Sequence, residues 1–205
     1  MKYEESDNIE KILVSAKELE NDVSDIFFKD CNENNVDVYR VEMNNCIIKD
    51  SRCIQSKFIK GYFTNIKFEN CDFSNTDFSE ASFVECELKN CKFVGCNFQN
   101  ASIFKTKIVE NNFEYSNFCN SVFKETEIMY SNFSQCSFGE CKIKKTKLVE
   151  DNFCRAQLFK INLNGIDFSS CDINGIIVDK DELKGMIVNE FQAIELAKLL
   201  GITIK

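Results

Sequence analysis

Apolar residues recur at every fifth position through the middle of this chain. From Phe58 to Ile173 the step of five meets 24 positions filled by 15 Phe, 5 Ile and 4 Leu, without exception. Val38, Met43 and Ile48 hold the same register upstream, with Cys53 as a smaller member, and Val178 extends it downstream. Two residues before each of these sites the chain is mostly small: Cys71, Thr76, Ala81, Cys86, Ala101 and Ser116 among others. The other three positions are mostly polar or charged. A period of five fits neither the 3.6 of a helix nor the 2.0 of a strand. On a helix these side chains would spread around the whole circumference. The pattern predicts a chain that turns a corner every five residues. Large residues fill its axis, small ones fit beside them, and successive coils stack at sheet spacing, about 4.8 Å. The register does not break between Phe58 and Val178, so no loop is expected to interrupt the coils there.

The ends depart from the period. Ile9, Ile12, Leu13, Ala16, Leu19 and Val23 have helical spacing, which predicts a short amphipathic helix capping the first coil. A membrane-surface helix is the alternative, but such helices are usually basic on the polar face, and this one is acidic. Near the C-terminus Asn189 and Gln192 form a near capping box, and Gly201 stands where a helix stop belongs. Between them Phe191, Ala193, Ile194, Leu196, Ala197, Leu199 and Leu200 are apolar, too many for one narrow stripe. One face is expected to close the last coil and the surplus to meet a partner. Ile202 and Ile204 alternate with Thr203 as a half-buried strand would. The chain thus divides into a cap at 1–30, a repeat region at 31–178 and a C-terminal helix and strand at 179–205.

Composition narrows the chemistry. The chain has no His, Pro or Trp, but 20 Phe and 12 Cys in 205 residues. Without His, a Ser-His or Cys-His pair is impossible, and the seven Gly form no phosphate loop. No catalytic constellation, cofactor site or small-molecule substrate is expected. The acidic N-terminus has no apolar stretch of a secretory signal, and no run is long enough to span a membrane. A cytoplasmic protein with reduced thiols is expected. Nine of the cysteines (31, 46, 71, 86, 91, 96, 136, 141 and 171) fall at the small inward position, where Cys serves as a small hydrophobe. A zinc site around Cys71, Cys86, Cys91 and Cys96 or a Cys71–Cys91 disulfide is the sharper alternative. Cys119 and Cys154 fall at an outward position. Net charge is −8, but residues 1–30 hold 9 acids against 4 bases and residues 58–178 hold 15 against 13. One side, through Phe63 and Ile143, is basic in its later coils. The next side is mildly acidic, with Glu69, Glu87, Glu110, Glu127, Glu150 and Asp167 as a candidate partner-binding surface.

Stretches such as Asn75-Thr76-Asp77-Phe78-Ser79 and Tyr115-Ser116-Asn117-Phe118-Cys119 resemble the A-(D/N)-(L/F)-x-x signature of pentapeptide-repeat proteins. The resemblance covers roughly residues 36 to 178 and implies an all-β solenoid: a right-handed quadrilateral β-helix of about seven coils. The run Phe191-Gln192-Ala193, followed by Leu200-Gly201-Ile202, resembles the C-terminal segment of the quinolone-resistance (Qnr-type) members. That resemblance implies a tail-to-tail homodimer, with Phe191, Ile194, Leu196, Leu199, Leu200, Ile202 and Ile204 as candidate dimerisation residues. It also implies a type II DNA topoisomerase, gyrase or topoisomerase IV, as partner, engaged by a rod that mimics DNA. The uninterrupted register matches loopless relatives better than members whose coils carry loops. A scaffold for an unrelated protein partner is the alternative.

Overall fold

Each five-residue step turns its corner at the residue two beyond the inward apolar one, where the backbone is left-handed. Gln55, Lys60, Asn65, Asn70 and Asn75 have φ of 54, 58, 53, 56 and 58°, and the pattern continues to Lys160. Asn, Asp and Gly tolerate this region at least cost, yet Lys, Glu, Arg and Tyr fill it too. The coil, not the local residue, imposes the corner. The computed structural model describes residues 3–203.

Four such sides make one coil, because the ladder partners of successive coils lie 20 residues apart, as in Ile103↔Phe123 and Ile108↔Ile128. Two sides form parallel sheets. Odd-numbered strands build the first face: β1 (Glu4–Ser6), β3 (Ile26–Lys29), β5 (Ile47–Lys49), β7 (Lys67–Glu69), β9 (Glu87–Lys89), β11 (Lys107–Val109), β13 (Glu127–Met129) and β15 (Lys147–Val149). Even-numbered strands build the second: β2 (Val23–Ser24), β4 (Glu42–Asn44), β6 (Tyr62–Thr64), β8 (Ser82–Val84), β10 (Ser102–Phe104), β12 (Val122–Lys124) and β14 (Lys142–Lys144). The third and fourth faces are single-residue bridges, running through Asp72, Lys92 and Asn112 and through Asp77, Asn97 and Asn117. Seven coils carry both sheets, forming a β-solenoid.

The axis is a stack of phenylalanines. Phe78, Phe98, Phe118 and Phe138 lie one above another with centroids 5.2, 4.9 and 5.2 Å apart and planes within 10°. Neighbours around the coil meet at a tilt, as Phe113 and Phe118 do at 64°. Such pairs add about 0.5–1.5 kcal/mol each beyond burial. The small inward residues satisfy the backbone. Ser116 Oγ donates to Phe93 O at 2.7 Å and accepts from Cys96 N at 3.0 Å. Cys136 Sγ donates to Phe113 O at 2.9 Å. Size and hydrogen bonding together select Ser, Thr and Cys here.

The N-terminal cap contains the expected helix, α1 (Ile9–Glu18), started by Asn8, whose side chain accepts from Lys11 N at 2.8 Å. Ile9, Leu13 and Ala16 are buried. The solenoid nevertheless begins inside this segment, at Val23 rather than residue 31, since β2 pairs with β4 and β3 with β5. β1 precedes the helix and adds in parallel to β3. The sequence pattern hides this start because Glu33 occupies the inward position between Phe28 and Val38. Burial pushes the Glu33 carboxyl above its usual range, while a hydrogen bond from the Ile9 backbone, where α1 begins, pulls the other way.

The far end is less regular. Side-chain register holds through Leu163 and Phe168, but β14 and β15 are terminal strands of their sheets. Lys142 N and Lys147 N donate back to Ser121 O and Thr126 O. Among the described residues, Asn162 and Asp167 make no equivalent bonds to Cys141 O and Thr146 O. The third and fourth faces stay zipped, with Asp172 N donating to Asp151 O and Ile177 N to Ala156 O, both at 2.9 Å. The last coils are therefore hinged open on two of four sides. No loop is inserted; the ladder parts between coils whose register is intact.

A 3₁₀ turn (Lys180–Leu183) leads to α2 (Glu190–Ala197) and a further 3₁₀ turn (Lys198–Leu200), stopped by Gly201 at φ 73°. The capping box is complete: Asn189 accepts from Gln192 N at 3.0 Å and Gln192 accepts from Asn189 N at 2.8 Å. The expected final strand is a correction. Ile202 and Thr203 form no strand, since the turn stopped by Gly201 precedes them directly, and Ile204 lies outside the described residues.

Candidate interaction surfaces

The C-terminal helix meets the last coil mainly through a polar residue. Gln192 is buried, and its Nε2 donates to Phe168 O at 2.9 Å and Cys171 O at 2.7 Å. Asn189 Nδ2 donates to Ser169 O at 2.7 Å. These carbonyls have no further coil to pair with, so the amides close the end of the ladder. Gln192 was legible only as a capping residue; a polar side chain on an otherwise apolar helix is the signal that marks it as an anchor.

Anchoring by Gln192 leaves the helix's apolar residues outside. Phe191 is 72% exposed, and Ile194, Leu199, Leu200 and Ile202 are also exposed. Leu196 packs partly against the core. A groove of about 540 Å³ separates the helix from the last coil, lined by Ile173, Ile176, Phe191, Leu196 and Leu199 with polar neighbours. An apolar end of this kind marks an interaction site more often than a solvated surface.

The acidic candidates lie on one face but do not form a continuous stripe. The ladder places Lys67, Glu87, Lys107, Glu127 and Lys147 in successive register. Beside them Glu69 lies between Lys49 and Lys89, with Lys49 Nζ 3.1 Å from its carboxylate. Glu110 and Glu150 occupy left-handed corners. Asp167 lies beyond the ladder opening and bridges to Ile187. A 20-residue alternation of sign cancels most of the field that a run of carboxylates would project. The second face is basic in its later coils: Lys105 and Lys124 lie 5.2 and 5.0 Å over the Phe104 ring, and Lys142 and Lys144 point outward from β14.

Groups capable of chemistry are mostly sealed inside. Burial pushes the thiols of Cys31 and Cys171 up to about 11 and those of Cys86, Cys96 and Cys141 up to about 12. In Cys71 the contact with Cys91 and burial both raise the pKa. The Cys71 thiol donates to Ile48 O and Glu69 O at 3.3 and 3.2 Å, and its backbone N–H donates to Cys91 Sγ at 3.3 Å. These thiols act as hydrogen-bond donors of the coil. Asp151 is the exception in kind: a carboxyl at the small inward position, 1% exposed, accepting from Ser131 N at 2.8 Å and Val149 N at 3.1 Å. Burial lifts its pKa to about 7. Among the described residues no helix is long and apolar enough to cross a membrane.

Residues 61–131 match the family model of the pentapeptide repeat region. No curated protein matches the chain. Among solved structures it is similar to full-length QnrB1, a plasmid-mediated fluoroquinolone resistance protein, at 18% identity over 86% of this chain and 91% of that one, TM-score 0.46. It is also similar to HetL of the cyanobacterium Nostoc sp. strain PCC 7120, a pentapeptide repeat protein involved in heterocyst differentiation regulation. There identity is 13% over 89% of this chain and 98% of that one, TM-score 0.41. A third is Rfr23 of the cyanobacterium Cyanothece 51142, at 17% identity over 67% and 98%, TM-score 0.28. The family-model match and the five-residue register kept by the coils themselves lead to one assignment: residues 61–131 of this chain are a pentapeptide repeat region.

Proposed function

We propose that the chain is a non-enzymatic binding solenoid that pairs tail to tail with a second copy and engages a type II DNA topoisomerase. The observation that carries the reading is the exposed apolar end made by Phe191, Ile194, Leu199, Leu200 and Ile202. A two-fold pairing there buries the same patch on both chains, as isologous interfaces do. The partner rests on the resemblance of residues 191–193 and 200–202 to Qnr-type proteins, and the action is competition with DNA for the enzyme's binding saddle. Mixed charge on the sides favours a second reading, a scaffold for an unrelated protein partner, because a DNA mimic works best with a continuous acidic surface.

Two measurements test this. Light scattering on the eluting protein should give a dimer, and Phe191→Glu with Leu200→Glu should give a folded monomer. Gyrase supercoiling is then titrated with and without a fluoroquinolone. Rescue from the drug, or inhibition of supercoiling, supports the topoisomerase reading. No effect from a folded dimer in large excess leaves the scaffold.

A further inference from the structure

We propose that the hinged opening beside β14 is a docking slot for an extended acidic peptide, which adds as a strand to the free edge of β14. Three observations converge there. The first is the edge itself. In earlier coils Lys105 N donates to Lys124 O and Glu125 N to Lys144 O, both at 3.0 Å, while Lys145 N has no such partner in the next coil among the described residues. An open ladder presents alternating N–H and C=O groups that a peptide backbone can satisfy.

The second is the space. A cleft of about 940 Å³ separates β14 from residues 162–166. Its floor includes Ile143, the central residue of β14, which is less buried than Phe123, its counterpart one coil earlier. A partly uncovered apolar side chain at this position gives an inward-facing residue of an added strand something to pack on.

The third is charge. Lys142, Lys144, Lys145 and Lys160 line the cleft against one carboxylate, Glu140. Glu140 is engaged by Lys160 at 3.0 Å, and Lys145 reaches Glu125 at 3.5 Å. Lys142 and Lys144 form no ion pair among the described residues. The lining holds no aromatic ring, so it lacks the stacking platform on which single-stranded nucleic acid usually rests. A phosphodiester chain also offers the ladder acceptors only, where the edge asks for donors and acceptors in turn. The fold already uses acidic strand addition once: β1, with Glu4 and Glu5, lies in parallel on β3 at the opposite end of the rod.

The test uses the full chain and a fluorescein-labelled peptide of alternating Glu and Val, followed by anisotropy at low salt and by amide hydrogen exchange. The slot predicts binding that weakens with salt and slowing of exchange at Ile143 and Lys145 by about tenfold or more. A Lys-Val peptide and the variant Lys142→Glu with Lys144→Glu should each bind about tenfold more weakly. Lys89→Glu, on the first face, should bind as the unaltered protein does. The proposal is overturned if the acidic peptide fails to bind at millimolar concentration or binds without protecting those amides. Tighter binding of oligothymidylate with the same lysine dependence would also overturn it, in favour of a polyanion site. Exchange at Ile143 and Lys145 as slow as at Phe123 and Glu125 in the free protein would show a closed ladder and end the idea.

Discussion

Replacing Asp151 by Asn should stabilise this protein, and by more at pH 8 than at pH 5. The column of small inward residues that holds Asp151 also holds Asn111, two coils earlier. There Asn111 Oδ1 accepts from Cys91 N at 2.8 Å, and Nδ2 donates to Leu88 O and Val109 O at 2.8 and 3.0 Å. The equivalent carbonyls for position 151 belong to Ile128 and Val149. An ionised Asp151 accepts from Ser131 N but has nothing to offer them. Its pKa of about 7 against an ordinary 3.8 reflects that burial. At about 1.4 kcal/mol per pKa unit, ionising it costs the fold up to about 4 kcal/mol. The folded pKa lies above the unfolded one, so the group's contribution is fully present below about pH 4 and is lost as pH rises through about 7. Roughly 2.5 kcal/mol of the loss falls between pH 5 and pH 8. Asn carries no charge to desolvate and regains the donors. Urea denaturation of both proteins at pH 5 and pH 8 reads this directly, because every other titration cancels in the comparison. Asp151→Asn should gain about 2–4 kcal/mol at pH 8 and markedly less at pH 5. A gain that is the same at both pH values, or a loss at pH 8, would refute the reasoning.

Phe98 lies in the middle of a ring stack, and Phe98→Ala should cost about 3–5 kcal/mol in the same denaturation assay. Gln192→Ala strips two hydrogen bonds from the last coil's carbonyls and should cost about 1–3 kcal/mol, with hydrogen exchange faster around α2 while the central coils are unchanged. A disulfide-exchange reagent at pH 8 should modify Cys119 and Cys154 quickly in the native protein, since the other ten of the 12 cysteines are buried. More than two fast thiols would show that the coils open more readily than their burial implies.

The repeat was legible because its inward residues are chemically extreme: a Phe every five residues admits no other register. The corners were not, since Lys60 and Tyr115 carry no local preference for the left-handed backbone they adopt. A single charged residue, Glu33, hid the start of the solenoid by standing at an inward position and turning its carboxyl toward α1. The opening beside β14 left no trace in the side-chain pattern, because Leu163 and Phe168 keep their places while the backbone between coils separates. The exposed C-terminal residues were visible as an apolar surplus on a short helix. That a glutamine, rather than a leucine, holds that helix down could be known only from the carbonyls it meets.

The 20-residue spacing between ladder partners sets a rule for how such a molecule can change length. Excising a whole coil, for instance residues 81–100, joins Glu80 to Ala101 and leaves every later side chain on its original face, merely nearer the other end. Excising residues 81–85 alone preserves the inward pattern just as well but turns everything downstream by a quarter of a revolution. The basic side after the cut would then follow a different side before it, although no core contact type had been lost. Reach and aim are thus set separately: the number of full coils decides how far apart two surface features lie, and the remainder decides whether they look in the same direction.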